Sequence, residues 1–284
     1  MKILGTGLSG LVGSRIVELL KDRYEFDSSG VDITDRNAII EKIKSSDVRI
    51  VLHLAAKTDV DGCEKDKPLG KNGDAWRINV EGTRSIIDVC KESRKKLIYI
   101  STDFVFDGTK EVYTEDDTPN PINWYAQTKY EGEKIVQNSS TPWIIARISY
   151  PYRSRFERLD FVRAILIRLQ NKEKVLGVTD QIFTPTFIDD IAFAIDKLIG
   201  KEASGIFHVV GGVSLSPYDA ALAIAREFGL NKDLIDKTTR GEFFNNRAQR
   251  PFHLAIKNDK IESLGVRMRS FNEGLEEIKR QLRP

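Results

Sequence analysis

The stretch Asn123–Lys134 reads "NWYAQTKYEGEK". It holds two tyrosines, each with a lysine four residues on: Tyr125 with Lys129, and Tyr130 with Lys134. On a helix, positions i and i+4 share a face. An ammonium beside a phenol stabilises the phenolate and lowers a pKa that is about 10 in free tyrosine. Such a pair can give a proton to an oxygen gaining negative charge, as reduction of a ketone requires. The spacers in "YAQTK" are small and uncharged, as suits a helix face packed against a ligand. "YEGEK" carries Glu131 and Glu133 and reads as a solvated face with its lysine as a charge partner. Tyr125 and Lys129 are therefore expected to be the working pair, with Tyr130 and Lys134 at the surface.

A second group stands at the end of the apolar run "KLIYIS", where Ser101, Thr102 and Asp103 follow. Open α/β sheets bind ligands outside the carboxyl ends of their strands. A hydroxyl there can hydrogen-bond a carbonyl beside the tyrosine. The third group is the first turn, Gly5-Thr6-Gly7-Leu8-Ser9-Gly10-Leu11-Val12-Gly13. It satisfies G-x-G-x-x-G at Gly5, Gly7 and Gly10, and G-x-x-G-x-x-G at Gly7, Gly10 and Gly13. Either spacing permits a tight turn and close approach of backbone to a pyrophosphate at a helix N-terminus. The second strand ends "EFDSSG". Asp27 there suits a ribose 2′-hydroxyl and so NAD, whereas Ser28 and Ser29 suit a 2′-phosphate and so NADP. NADP(H) is favoured and NAD(H) remains open. Asp32 either approaches the adenine or caps the next helix.

The elements that must hold these groups alternate. "KIL", "YEF", "RIVLHLAA", "KLIYIS" and "WIIARIS" are strand-like, separated by helical patterns. Strands without polar interruption are buried on both faces, as in a parallel sheet covered by helices. One long helix is expected over Asp74–Arg94, and Asp35 or Thr34 can cap the helix before "RIVLHLAA". After Ile148 the rhythm changes at "YPYRSRFERL". The expectation is a dinucleotide-binding unit over 1–148 and a mainly substrate-binding unit over 149–284, interleaved with sheet elements near 175–210.

Composition narrows the class. The 284 residues carry 44 Lys+Arg against 42 Asp+Glu, and a net charge of +2 argues against a nucleic-acid partner. The basic run Arg94-Lys95-Lys96 is expected to face water at a helix C-terminus. Cys63 and Cys90 form no disulfide framework, and His53, His208 and His253 are far apart, so no metal site is expected. No apolar run is long enough for a membrane helix. The opening "MKILGTGLSGLVGSRIVELL" reads as strand, turn and helix rather than as a signal peptide. A cytoplasmic setting without membrane partners is expected.

Taken together, these segments resemble the extended short-chain dehydrogenase/reductases, and within them the dTDP-4-dehydrorhamnose reductase family. The likeness rests on "TGLSGLVG", "HLAAKTDVDGCE", "STDFVFDG", "YAQTKYEGE", "ARIS", "DQIFTPTFIDDIA" and "AQRP". It implies a Rossmann-type doubly wound α/β sheet and a smaller C-terminal substrate-binding part. It also implies a nucleotide-sugar substrate and is compatible with a homodimer. In the implied reaction NAD(P)H reduces the C4 ketone of a 4-keto-6-deoxy sugar, with Thr102, Tyr125 and Lys129 catalytic. The implied cofactor contacts are Gly7, Gly10, Leu11, Val12, Gly13, Asp27, Ser28, Ser29, Asp32, Ile33, Leu54, Ala55, Ala56 and Thr58, with Tyr125 and Lys129. The implied substrate contacts are Val60, Thr102, Asp103, Tyr125, Ser149, Tyr150 and Arg250. Three positions depart from the family pattern: Tyr150 replaces tryptophan, Asp160 precedes Phe161 in place of asparagine, and Leu254 replaces serine. Phe104 stands where the sister 4,6-dehydratases carry glutamate, which disfavours elimination of water. An epimerase, and a non-catalytic subunit like that of methionine adenosyltransferase, share the same motifs and remain alternatives.

Overall fold

The computed structural model describes residues 1–283. Its strands in chain order are β1 (Lys2–Thr6), β2 (Glu25–Ser28), β3 (Ile50–His53), β4 (Lys96–Thr102) and β5 (Trp143–Ile148), then β6 (Pro151–Tyr152), β7 (Val175–Val178), β8 (Thr186–Phe187), β9 (Gly205–His208) and β10 (Ile235–Thr238). Six of them form one parallel sheet in the order β2-β1-β3-β4-β5-β9. The period-two geometry of a strand sends alternate residues to opposite faces. Ile3, Leu52, Ile98 and Ile144 pack on one side with Ile16, Leu20, Ile191 and Ile195. Leu4, Val51, Leu97 and Ile145 pack on the other with Ile39, Ile86 and Val89. The sheet is thus buried on both faces, which explains why its central strands are uninterrupted apolar runs.

The chain reverses its direction of growth between β1 and β3. Crossovers to β2 and β3 leave opposite sides of β1, and the helices diverge to open a crevice at the strand ends. The turn after β1 feeds the helix Gly13–Leu20. The region 74–92 is continuous in its helical path, but its middle, Arg77–Gly82, is a π-turn between Asp74–Trp76 and Thr83–Glu92. Asn79 sits in that π-turn. Its side chain accepts from the Lys57 backbone at 2.8 Å and donates to the Lys57 carbonyl at 3.1 Å and to Thr128 at 3.0 Å. The widened turn therefore pins the "AAKT" loop to the helix Trp124–Gln137.

A second, smaller core gathers Tyr152, Val162, Leu166, Phe183, Phe187, Ile224, Phe271 and Leu275. Two short parallel pairs, β6 with β8 and β7 with β10, border it. Val175–Val178 thus pairs with Ile235–Thr238 and not with the central sheet, whereas Gly205–His208 is that sheet's edge strand beside β5. Charge ties the two cores together. Arg15 meets Asp189 through two hydrogen bonds of 2.6 and 2.7 Å, and Arg153 reaches the Leu11 carbonyl and the Ser14 hydroxyl.

The basic run at 94–96 departs from its expected solvated role. Lys95 is buried, and its ammonium caps the end of the helix Arg36–Ser45 through the Ile43 and Ser46 carbonyls at 2.8 and 2.6 Å. A cation at a helix C-terminus offsets its own burial by satisfying orphan carbonyls. Asp35 is the N-cap of that same helix, accepting from the Ala38 N–H at 3.0 Å.

Both buried histidines are structural. His53 lies between the hydroxyls of Thr6 at 2.7 Å and Thr83 at 3.0 Å. His208 Nδ1 donates to the Lys257 carbonyl at 3.1 Å. Burial lowers each from an ordinary 6.5 to about 3. A group whose folded pKa is depressed contributes stability above its unfolded pKa and loses it as pH falls towards the folded value. Stability is therefore expected to decline from pH 6.5 to 3, by at most about 1.4 kcal/mol per pH unit for each histidine. Denaturant unfolding at stepped pH measures the slope. The slope should flatten in His208→Gln, and an unchanged slope would remove His208 from the acid response.

Candidate active site

A cleft of about 770 Å³ runs along the carboxyl ends of the central strands. Its floor and walls come from the turn after β1 (Gly7, Gly10, Leu11, Val12, Gly13), the segment after β3 (Leu54, Ala55, Ala56, Thr58, Val60) and the end of β4 (Thr102, Asp103). Tyr125 and Lys129 line it from the helix Trp124–Gln137, and Tyr150 from the loop after β5.

The turn decides between the two glycine templates. Gly7 has φ +70, and a Cβ there would stand 2.7 Å from the Ala55 backbone nitrogen. A Cβ on Gly13 would stand 2.5 Å from the Gly7 carbonyl oxygen. Gly7, Gly10 and Gly13 line the cleft, whereas Gly5 lies within β1 and faces the Leu8 side chain. The cleft-lining spacing is G-x-x-G-x-x-G. Its backbone meets the first turn of the helix Gly13–Leu20, whose free N–H groups suit an anion such as a pyrophosphate.

The helix that carries the Tyr-Lys pair starts at Asn123, whose side chain accepts from the Ala126 N–H at 2.9 Å. Its second turn brings Lys129 under the cleft. The ammonium donates to the Ile100 carbonyl at 2.8 Å and lies 4.0 Å from the centre of the Tyr99 ring. Burial pushes Lys129 down to about 7, with Glu133 opposing. Burial also pushes the Tyr125 phenol well above its ordinary value, with the Thr102 hydroxyl opposing. Burial, and not the lysine, sets the tyrosine here. Desolvation disfavours both charged forms, so the pair rests as a phenol beside a weakly held proton.

The second pair is apart from the cleft, but it is not the solvated face that its sequence implies. Tyr130 is half-buried against the cluster of Phe104, Val105 and Tyr113, and Lys134 pairs with Glu131 at 2.7 Å. Glu133 is fully buried and grips Arg147 of β5 through bonds of 2.9 and 2.7 Å. The local pattern does not reveal this, because the glutamate's partner lies on a strand and not on its own helix.

Thr102, Asp103 and Ser149 form a buried chain. Thr102 Oγ1 donates to one Asp103 oxygen at 3.1 Å, and Ser149 Oγ donates to the other at 2.7 Å. Burial raises Asp103 to about 6 against the pull of both hydroxyls. Ser149 therefore stands behind Asp103 and does not itself line the cleft. Tyr150 adopts φ +38, an unfavourable value for a side-chain-bearing residue, and meets Phe183, Phe104 and Phe161 edge-on or tilted.

Several expected contacts lie outside the lining. Asp27 is paired with Lys42 at 2.9 Å, Ser28 is exposed, and the Ser29 N–H donates to the Gly5 carbonyl. All three sit beside the first strand's end, beyond the end of the cleft. Asp32 accepts from the Thr34 N–H at 2.8 Å, a turn role, and Ile33 belongs to the core. Arg250 meets Asp61 at 2.5 Å and stacks on Phe244 at 4.9 Å. Its reach is satisfied by protein, away from the lining.

The cleft also has walls that sequence reasoning passed over. Ser101 Oγ is buried there without a hydrogen-bond partner. Phe156, Arg158 and Leu159 come from the aperiodic loop before the helix Phe161–Gln170, with Phe161 beside them. Asp160 caps that helix, accepting from the Arg163 N–H at 3.0 Å. Adjacency to "STDFVFDG" could have flagged Ser101, whereas the loop has no periodicity to read.

Residues 1–283 match the model of the RmlD substrate binding domain. The chain belongs to this family. A dTDP-4-dehydrorhamnose reductase of Aggregatibacter actinomycetemcomitans is 31% identical over 297 residues, covering 98% of both chains. The crystal structure of dTDP-4-dehydrorhamnose reductase from Bacillus anthracis str. Ames, in complex with NADP, superposes with a TM-score of 0.91 at 30% identity and 99% coverage of both. The methionine adenosyltransferase 2 subunit beta of Bos taurus is 29% identical over 97% of this chain and 86% of its own. The protein is an oxidoreductase of the dTDP-4-dehydrorhamnose reductase type, on a Rossmann-type sheet.

The glycine turn predicts a specific loss. Gly7→Ala places a methyl against the Ala55 backbone at a positive φ. NADPH binding, followed by fluorescence titration, should weaken by roughly tenfold or more, about 1.4 kcal/mol. Unchanged affinity would mean that this turn does not hold the dinucleotide.

Proposed function

We propose that the protein reduces the C4 ketone of dTDP-4-dehydro-6-deoxy-L-mannose to dTDP-L-rhamnose, with NADPH preferred to NADH. One observation carries the reading. The glycine turn, Thr102, Tyr125 and Lys129 all line the same cleft, so a dinucleotide on the turn extends towards the proton donor. The residues present fit such a cofactor: Gly7 and Gly13 leave a cradle that a Cβ would fill, and Ser101 offers an unpartnered hydroxyl in the cleft wall. Lys42 supports the phosphorylated form. It neutralises Asp27, the residue that would otherwise repel a 2′-phosphate, and brings positive charge to that strand end.

When bound, the cofactor supplies a hydride. The chain's own residues do the rest. Thr102 and Tyr125 line the same cleft, so their hydroxyls can share one ketone oxygen. Tyr125 gives its proton to that oxygen as charge develops. The resulting phenolate is stabilised by Lys129, which at about 7 can hold its proton near neutral pH while the Ile100 carbonyl fixes its position. Phe104 closes the wall beside Thr102 with an apolar ring and edge-on contact to Tyr125. No acid stands at that position to expel water from a sugar. The aromatic group of Tyr150, Phe161 and Phe156 offers apolar faces for a sugar or base, and Arg158 offers a cation for the diphosphate.

The test is NADPH oxidation with the dTDP-4-keto sugar generated in situ. Tyr125→Phe should lower kcat by roughly 10²–10⁴-fold. Tyr130→Phe should stay near wild type, because Tyr130 is not in the lining. Equal losses in both variants would overturn the assignment of the working pair. Wild-type protein that binds NADPH without oxidising it would remove this sugar and bring forward the non-catalytic reading shared with the bovine subunit.

A further inference from the structure

The cleft wall formed by Phe156, Arg158 and Leu159 has no secondary structure of its own. Among the described residues, the peptide groups from Ser154 to Leu159 make no hydrogen bond with other backbone. Such a segment keeps one shape only if side chains fix it. Two buried arginines and one buried carboxylate do so. Arg163 Nε donates to Asp160 at 2.8 Å, and the two remaining guanidinium nitrogens donate to the carbonyls of Phe156 and Arg158. Asp160 also accepts from the Arg163 N–H at 3.0 Å and the Arg153 N–H at 3.3 Å, so one carboxylate ties both ends of the loop. Arg153 joins the loop to the glycine turn. Its guanidinium donates to the Leu11 carbonyl at 3.3 Å and the Ser14 hydroxyl at 2.9 Å, and lies 5.5 Å from the centre of the Phe156 ring.

The charges in this corner have different duties. Asp160 lines the cleft, where an unpaired carboxylate would repel a diphosphate. Arg163 cancels that charge from the buried side. Arg158 is exposed at the cleft, and no carboxylate of the described residues pairs with it. An asparagine at 160, as the family pattern has it, would cap the helix as well but leave the Arg163 charge buried and unpaired. The aspartate therefore belongs with the arginine three residues on.

We propose that Asp160 and Arg163 are positioning residues for the diphosphate of the substrate: their pair holds the Phe156–Leu159 wall, and the wall presents Arg158 to that diphosphate. The inference rests on the nucleotide-sugar reading above. The cofactor's own pyrophosphate has the glycine turn and the start of the helix Gly13–Leu20, which leaves Arg158 for a second diphosphate. Phe161, next to Asp160, meets the Tyr150 ring edge-on at 6.1 Å, and that ring stands on the side given to the sugar or base.

Two measurements on the full chain test this. The first needs no ligand: native-state trypsin cleavage, with the cut sites read by mass spectrometry, in wild type, Arg163→Lys and Asp160→Asn. The lysine keeps the charge without the planar fork, and the asparagine keeps the helix cap, so neither variant is expected to lose the fold. Both should be cut at Arg155 or Arg158 roughly tenfold faster than wild type, with other sites unchanged, because a released segment opens locally. An unchanged rate, or faster cutting at all sites alike, would overturn the hold on the wall. The second is calorimetric titration with dTDP and, separately, NADPH. Arg158→Ala should bind dTDP roughly tenfold more weakly, through loss of a charge-assisted hydrogen bond. Arg163→Lys should also weaken it, and the double variant should be no weaker than Arg158→Ala, since both act on one contact. NADPH affinity should hold in all three. Additive losses, a loss for NADPH instead of dTDP, or tighter dTDP binding in Asp160→Asn would each overturn the proposal. A wild type that binds no dTDP, with the cleavage changes intact, would instead count against the nucleotide-sugar reading and end the role given to Arg158.

Discussion

The site depends on a buried ion pair that takes no part in the chemistry. Glu133 and Arg147 are almost wholly removed from water and joined through two parallel hydrogen bonds. Burying two charges costs several kcal/mol per ion, and only near-ideal geometry with further partners offsets it. Arg147 has those partners: the Phe106 ring lies 5.1 Å from its guanidinium and His208 stands 3.4 Å away. The pair locks the Trp124–Gln137 helix onto β5, one turn beyond Lys129. Gly132 completes the contact, since a Cβ there would stand 2.5 Å from the Tyr99 hydroxyl and 3.0 Å from the Asn79 carbonyl. "YEGEK" therefore anchors the helix, and "YAQTK" carries Tyr125 and Lys129 of the cleft lining.

That anchoring sets the electrostatics of the cleft. A helix pressed this closely against β4 excludes water from beneath Lys129, and the lost hydration lowers the lysine towards neutrality. The same exclusion raises Tyr125 and Asp103. Three titratable groups are thus shifted towards their neutral forms at the end of one strand. Charge that appears during reaction is felt strongly in such a setting, because little solvent is present to screen it.

The parts of this arrangement legible in the sequence were those with local causes. Uninterrupted apolar strands, the glycine spacing between a strand and a helix, and the i,i+4 pair all follow from backbone geometry within a few residues. What escaped reading has distant partners. The burial of Glu133 depends on Arg147, the burial of Lys95 on carbonyls of another helix, and the engagement of Arg250 on Asp61, 189 residues earlier. Val175–Val178 looks like any short strand, and only its pairing with Ile235–Thr238 removes it from the central sheet. The loop at Phe156–Leu159 has no period at all, yet it forms a wall of the cleft.

The central claim is that this cleft delivers a hydride to a sugar carbon beside Tyr125. Isotope transfer tests it directly. NADPH carrying deuterium at both C4 positions of the nicotinamide would be incubated with the protein and the dTDP-4-keto sugar, and the sugar product analysed by NMR. The account predicts one deuterium on C4 of the product, with the new hydroxyl taking its proton from solvent. A product without deuterium, or a sugar inverted with no loss of NADPH, would contradict it.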